Sequence, residues 1–123
     1  MNTLLWVAQI ALASVFAVTG TLKLVRTREQ LAPLMRWVTS WSQAGVSGVG
    51  LAEVLGASGL VLPAATGILP VMTPLAALGL FGLMVGATVV NLRHDDRARV
   101  PLTVALGVLA AVIAWGRLVV APL

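Results

Sequence analysis

Of the four acidic residues in this chain, only Glu53 falls within a long apolar run, that between Gly45 and Leu62. A carboxylate so placed must be protonated or paired. The chain has a single lysine, Lys23, to pair it with. A Lys–Glu pair held away from water can hydrogen-bond a carbonyl oxygen or relay a proton. Asn91 would bring a carboxamide to the same layer, making a three-residue polar cluster. A thinner second pair is expected between Gln9 and Arg117. Gln9 lies 14 residues before Lys23 and so shares nearly the same helix face. Other chemistry is thinly supplied. With no cysteine there are no thiolate metal sites or disulfides, and one histidine, His94, cannot make a bis-histidine haem. No metal constellation, nucleophile–base pair or nucleotide-binding loop is visible, so independent catalysis is not expected.

Each of these residues also has a purely structural reading. Lys23 and Arg117 lie near helix ends and can extend to the interface. Glu53 can serve as a bundle clamp, and Asn91 can bond a helix end. His94 sits in a charged loop where solvation suffices, and Asp95 and Asp96 neutralise the arginines around them.

The elements that must position these groups follow from composition. The chain has 123 residues, 59% hydrophobic and 10% charged, with a mean hydropathy of +1.02. A soluble domain carries about 25% charged residues, so lipid must cover most of this surface. Spanning about 30 Å of hydrocarbon takes about 20 apolar residues. Four runs qualify, at about 3–24, 45–62, 74–92 and 100–120, within one transmembrane domain, 1–123. Pro63 is expected to stop the second, Thr73 to cap the third with Pro74 at its first helical position, and Pro101 to open the fourth. The first run is not a convincing signal peptide, because Met1-Asn2-Thr3 carries no Lys or Arg and the run is too long.

Charge then orients the spans. The first loop carries Lys23, Arg26, Arg28 and Arg36, and the third carries Arg93, Arg97 and Arg99, whereas the second has no charge. The net charge of +4 therefore reads as a topology signal and not as a nucleic-acid footprint. The positive-inside rule places loops one and three in the cytoplasm and both termini outside. Trp6 and Trp115 fall at outer belt depth, and Trp37 and Trp41 in the first loop. There Thr27 to Gln30 forms a capping box followed by Leu31, Leu34, Val38 and Trp41 at helical spacing. This predicts a short amphipathic helix on the interface between the first two spans, with Pro33 awkwardly early in it. Small residues line one face of the third span (Gly79, Gly82, Gly86) and one of the second (Gly48, Ala52, Gly56). Packing within the bundle is the expected use, and a homo-oligomer interface the alternative.

Depth supports the pairing of Glu53 with Lys23. Glu53 lies about eight residues into its span, roughly 12 Å from the boundary at 1.5 Å per residue. A mid-membrane charge costs about 3 kcal/mol, and each Leu or Val returns about 0.5. This span has eight Leu and Val residues against five glycines, so it is the least willing to insert alone. Side chains lean toward the N-terminus of their helix. Lys23 and Glu53, on spans of opposite direction, therefore lean toward each other.

Gly20-Thr21-Leu22-Lys23-Leu24 resembles the G-x-x-K-L signature of DoxX-like membrane proteins. Glu53 within Gly50-Leu51-Ala52-Glu53-Val54-Leu55-Gly56 is similar to that family's second-helix glutamate. The runs Leu62-Pro63-Ala64-Ala65-Thr66-Gly67 and Leu75-Ala76-Ala77-Leu78-Gly79 extend the resemblance over nearly the whole chain. Where members often carry histidine near the end of the third helix, this chain has Asn91, which argues against an imidazole-dependent role. The resemblance implies an all-α four-helix bundle in a bacterial inner membrane. Some relatives are subunits of quinone-linked sulfur-compound oxidoreductases or partners of soluble antioxidant enzymes. It thus implies a membrane subunit or anchor of a redox complex, with a quinone or similar amphiphile in the bundle and a redox partner at the basic cytoplasmic face. A carrier or receptor for a small apolar ligand, and a structural assembly protein, are the alternatives the residues leave open.

Overall fold

The computed structural model describes residues 2–33, 42–93 and 97–120, and all regular structure among them is helical. Helix α1 spans Asn2–Val25, α2 Arg28–Leu31, α3 Gln43–Thr66, α4 Met72–Arg93 and α5 Val100–Trp115. A 3-10 turn at Arg97–Arg99 leads into α5 and a π-helical turn at Gly116–Val120 continues it. Four helices are long and apolar enough to cross a membrane: α1, α3, α4, and α5 with its flanking turns. The chain is an all-α four-helix bundle and a multi-pass membrane protein.

The helices follow one another around the bundle in the order α1, α3, α4, α5, each antiparallel to the next. The α1–α3 contact is the most extensive and the α5–α1 seam that closes the ring the least. Leu12 and Phe16 from α1, Leu60 from α3, Leu80 from α4 and Ile113 from α5 meet in the interior. Leu4, Val7, Ile10, Leu55, Leu78 and Val108 point outward and stay exposed. So much exposed apolar surface suits a lipid solvent and not water.

Two close approaches tie α1 to α3. A Cβ on Gly20 would lie 2.7 Å from the Gly50 carbonyl, and a Cβ on Gly50 would lie 2.7 Å from that of Gly20. Only glycine at both positions lets the backbones come so near. The stripe Gly79, Gly82 and Gly86 does not pack within the bundle, contrary to the expectation from its small residues. A Cβ at any of the three, or at Gly48, would meet nothing within 4 Å. Gly56 and Gly59 are the glycines that admit α4, against Leu80 and Ala76.

Several expected boundaries move. Helix α3 begins at Gln43, with Ser42 capping it by accepting from the Gly45 N–H at 3.0 Å. It runs through Pro63 to Thr66. The proline removes one donor from the ladder, which a long packed membrane helix tolerates. The helix stops at Gly67, whose φ of 72° is left-handed and whose N–H donates to the Pro63 carbonyl at 3.0 Å. Thr73 is not a cap, because α4 already starts at Met72, and the Thr73 hydroxyl is buried without a partner. Pro74 therefore lies within the first turn, where a missing N–H costs nothing. In α2 the capping box forms, with Thr27 N–H donating to Gln30 Oε1 at 3.0 Å and Gln30 N–H to Thr27 Oγ1 at 3.3 Å. The helix ends after Leu31, because Pro33 disfavours α geometry at the residue before it. Leu31 turns inward and is buried against Val46. Leu34, Arg36, Trp37, Val38, Trp41, His94, Asp95 and Asp96 lie outside the described residues.

Candidate functional site

The Gly20–Gly50 crossing places the polar cluster. Each glycine sits three residues before a charged residue, hence on nearly the same helix face. Because the helices are antiparallel, each charged residue stacks over the other helix's glycine. A Cβ on Gly50 would lie 2.7 Å from Lys23 Cβ, and one on Gly20 would lie 3.0 Å from Glu53 Cβ. From these footings the side chains run toward one another. Lys23 Nζ forms a hydrogen-bonded ion pair with Glu53 Oε1. The second carboxylate oxygen, Oε2, accepts from Thr19 Oγ1 at 2.6 Å. Both charged residues are buried, Glu53 at 2% exposure and Lys23 at 6%, so Lys23 does not extend to the interface. A buried carboxylate is tolerable when paired and with both oxygens hydrogen-bonded, as here.

Beside this pair is a cavity of about 240 Å³ at the end of the bundle where the arginines gather. Lys23, Glu53, Thr19, Asn91 and Thr103 supply its polar wall, and Phe16, Met84 and Leu106 are among its apolar walls. Asn91 is 2% exposed, and its Oδ1 is buried without a hydrogen-bond partner. At the cavity wall Thr103 hydrogen-bonds Thr88 at 2.9 Å, linking α5 to α4. Val15 on α1 and Leu102 on α5 also line the cavity and are 37% and 48% exposed. Gly82 and Gly86 of α4 are exposed lining residues as well, so the cavity opens at its side, toward the lipid-facing surface.

The far end of that seam is closed. Arg117 donates from Nε to Gln9 Oε1 at 2.6 Å and from Nη1 to Asn2 Oδ1 at 2.7 Å. Its guanidinium lies 5.6 Å from the centre of the Trp6 ring. Gln9 in turn donates from Nε2 to the Leu60 carbonyl at 2.6 Å, joining three helices through one side chain. Arg117 is 2% exposed and thus turned into the bundle. Gly116 lets this turn approach α1, since a Cβ there would strike the Leu5 side chain at 2.6 Å.

The structure thus gathers Lys23, Glu53 and Asn91 around one cavity and sets Gln9 and Arg117 together at the opposite end. Thr19, Thr88, Thr103 and Asn2 belong to these clusters and went unnoticed in the sequence. For Thr19 a signal existed, because it lies four residues before Lys23 on the same face. Among the described residues no group of acidic residues or histidine could hold a metal ion.

The family model described as the DoxX-like family matches residues 7–113, and the chain belongs to that family. No curated protein and no solved structure matches it.

Proposed function

We propose that this protein is a membrane subunit or anchor of a redox complex and binds a quinone or a similar amphiphile in the cavity beside Lys23 and Glu53. The observation that carries this reading is the cavity itself, which has one polar wall and a sideways opening. Its volume of about 240 Å³ is below the roughly 300 Å³ at which small-molecule pockets begin. It suits a ring-sized head group, with an apolar tail left in the bilayer. Asn91, buried in the cavity wall, can donate a carboxamide N–H to an oxygen of such a head. A quinone would supply the two-electron chemistry. The chain's own residues bind and orient it: the Lys23 ammonium donates to a ring oxygen, and the Glu53 carboxylate holds or passes a proton.

With no cysteine in the chain, electrons would reach the site from a partner protein. Arg26, Arg93 and Arg97 are exposed at the cavity end of the bundle and suit an acidic docking surface. In this reading that end faces the cytoplasm of a bacterial inner membrane.

The test is mass spectrometry of the protein gently extracted from its native membrane, covering small molecules and co-purifying proteins. The expected result is about one quinone per chain together with a redox protein, the quinone being lost from a Glu53→Ala variant. A lipid-like ligand without a redox partner would replace this reading with that of a carrier. Recovery of neither would overturn it.

A further inference from the structure

We infer that the tail of the amphiphile held in the cavity leaves the bundle between α3 and α4, through a window edged by Gly82 and Gly86, and lies in a groove along the outer side of those two helices. The inference rests on the amphiphile reading above and adds the path and the reach of its tail.

The register of α3 against α4 locates the window. A Cβ on Gly56 would strike the Leu80 side chain and one on Gly59 would strike Ala76, so the helices touch closely in the half of the bundle away from the arginines. Toward the basic end, Val90 packs against the cluster of Leu31 and Val46. Between these two contacts the same antiparallel register sets Glu53 level with Gly82 and Val49 level with Gly86. Val49, Gly82 and Gly86 all line the cavity, and both glycines are exposed. A Cβ on either glycine would meet nothing within 4 Å. The cavity wall is therefore open here, where glycine brings no side chain to close it.

A groove of about 340 Å³ continues from this window. Leu83 lines both the cavity and the groove. From there the groove follows the α3–α4 contact, with Ala52, Leu55 and Gly59 on one side and Gly79 and Leu75 on the other, to Met72 at the start of α4. Alanine, glycine, leucine and methionine make up its whole lining, which suits hydrocarbon. From Leu83 to Met72 it runs about 16 Å at about 1.5 Å per residue, roughly half of a hydrocarbon core about 30 Å thick. A ligand with its head beside Glu53 thus extends its tail past the middle of the membrane, toward the end of the bundle opposite the arginines.

The other exposed part of the cavity wall, Val15 and Leu102 at the α1–α5 seam, offers no such path. Farther along that seam Gln9 and Arg117 lock the helices together, so a tail could not continue between them. Moving a tail from bilayer into groove brings no hydrophobic gain, and packing together with the anchored head holds it in place. The property to measure is therefore the position of the tail.

The probe is decylubiquinone carrying a diazirine at the end of its tail, photolysed with the full chain in lipid nanodiscs, the label being located by fragment-ion mass spectrometry. Labelling is expected within 52–59 and 72–83, and excess unmodified decylubiquinone should abolish it. Gly79→Leu, which puts a side chain into the groove where there is open space, should remove the label from these segments. Label that excess decylubiquinone abolishes but that falls on α1 and α5, or that stays in place in Gly79→Leu, overturns the inference and leaves the amphiphile reading standing. Labelling that excess decylubiquinone does not reduce reports bulk lipid contact and overturns both.

Discussion

A carboxylate and an ammonium each lose several kcal/mol of hydration when buried, and Lys23 and Glu53 recover much of it through each other. Glu53→Ala should therefore destabilise the protein by about 3–5 kcal/mol, because the buried Lys23 loses its counter-charge. Thermal unfolding in detergent checks this, and the double variant Lys23→Met/Glu53→Leu should melt above the Glu53→Ala single variant. At the other end of the seam, Gln9→Leu strands both Arg117 Nε and the Leu60 carbonyl. A loss of about 1–3 kcal/mol is expected. If unfolding is unchanged, Gln9 does not link the helices as described. The neighbourhood of Lys23 and Glu53 was legible because each is ionisable, sits in or beside an apolar run and leans toward the other. Thr19 was not, since threonine is ordinary in membrane helices and its bond to Glu53 depends on the crossing of α1 and α3. The state of Asn91 Oδ1 was beyond any reading of spacing, because it is defined by groups from other helices that fail to reach it.

Among the elements, glycines divide into those that admit a neighbouring helix and those that border open space, Gly82 and Gly86 beside the cavity among them. Gly20→Ala or Gly50→Ala would press a methyl group against a backbone carbonyl that cannot step aside. Overpacking of this kind costs about 1–3 kcal/mol, and here it also pries Lys23 from Glu53. Gly82→Ala has open space around it and should leave the melting temperature unchanged or raise it, by up to about 1 kcal/mol of helix propensity. The contrast between the two sets, measured by thermal unfolding of the three single variants, tests the crossing directly. Sequence patterns located the four spans well because apolar length is a strong signal. Their ends were read less well. Pro63 looked like a stop, but α3 loses only one ladder bond there and continues to Gly67, where a left-handed residue is required. The open space beside Gly79, Gly82 and Gly86 was equally hidden, since a stripe of small residues looks the same whether or not a neighbour fills it.

The molecule as a whole is a ring of four helices whose weakest seam is closed by Arg117, Gln9 and Asn2 at one end, with the cavity at the other, basic end. The exposed arginines around that end are expected to face the cytoplasm. Fusing a reporter that is active only outside the cytoplasm to either terminus should give signal. Signal from a reporter in the loop at 67–71 instead would invert the orientation. The ring also has a chronology. Lys23 and Glu53 are 30 residues apart, Gln9 and Leu60 are 51 apart, and Gln9 and Arg117 are 108 apart. As the ribosome delivers the chain, the first hairpin can neutralise its own buried charge before α4 has been synthesised. The least insertable span is therefore rescued by the helix made just before it. Arg117 comes out at the end of the fourth span and fastens it to the first, so a nascent chain halted before it still lacks the lock on that seam.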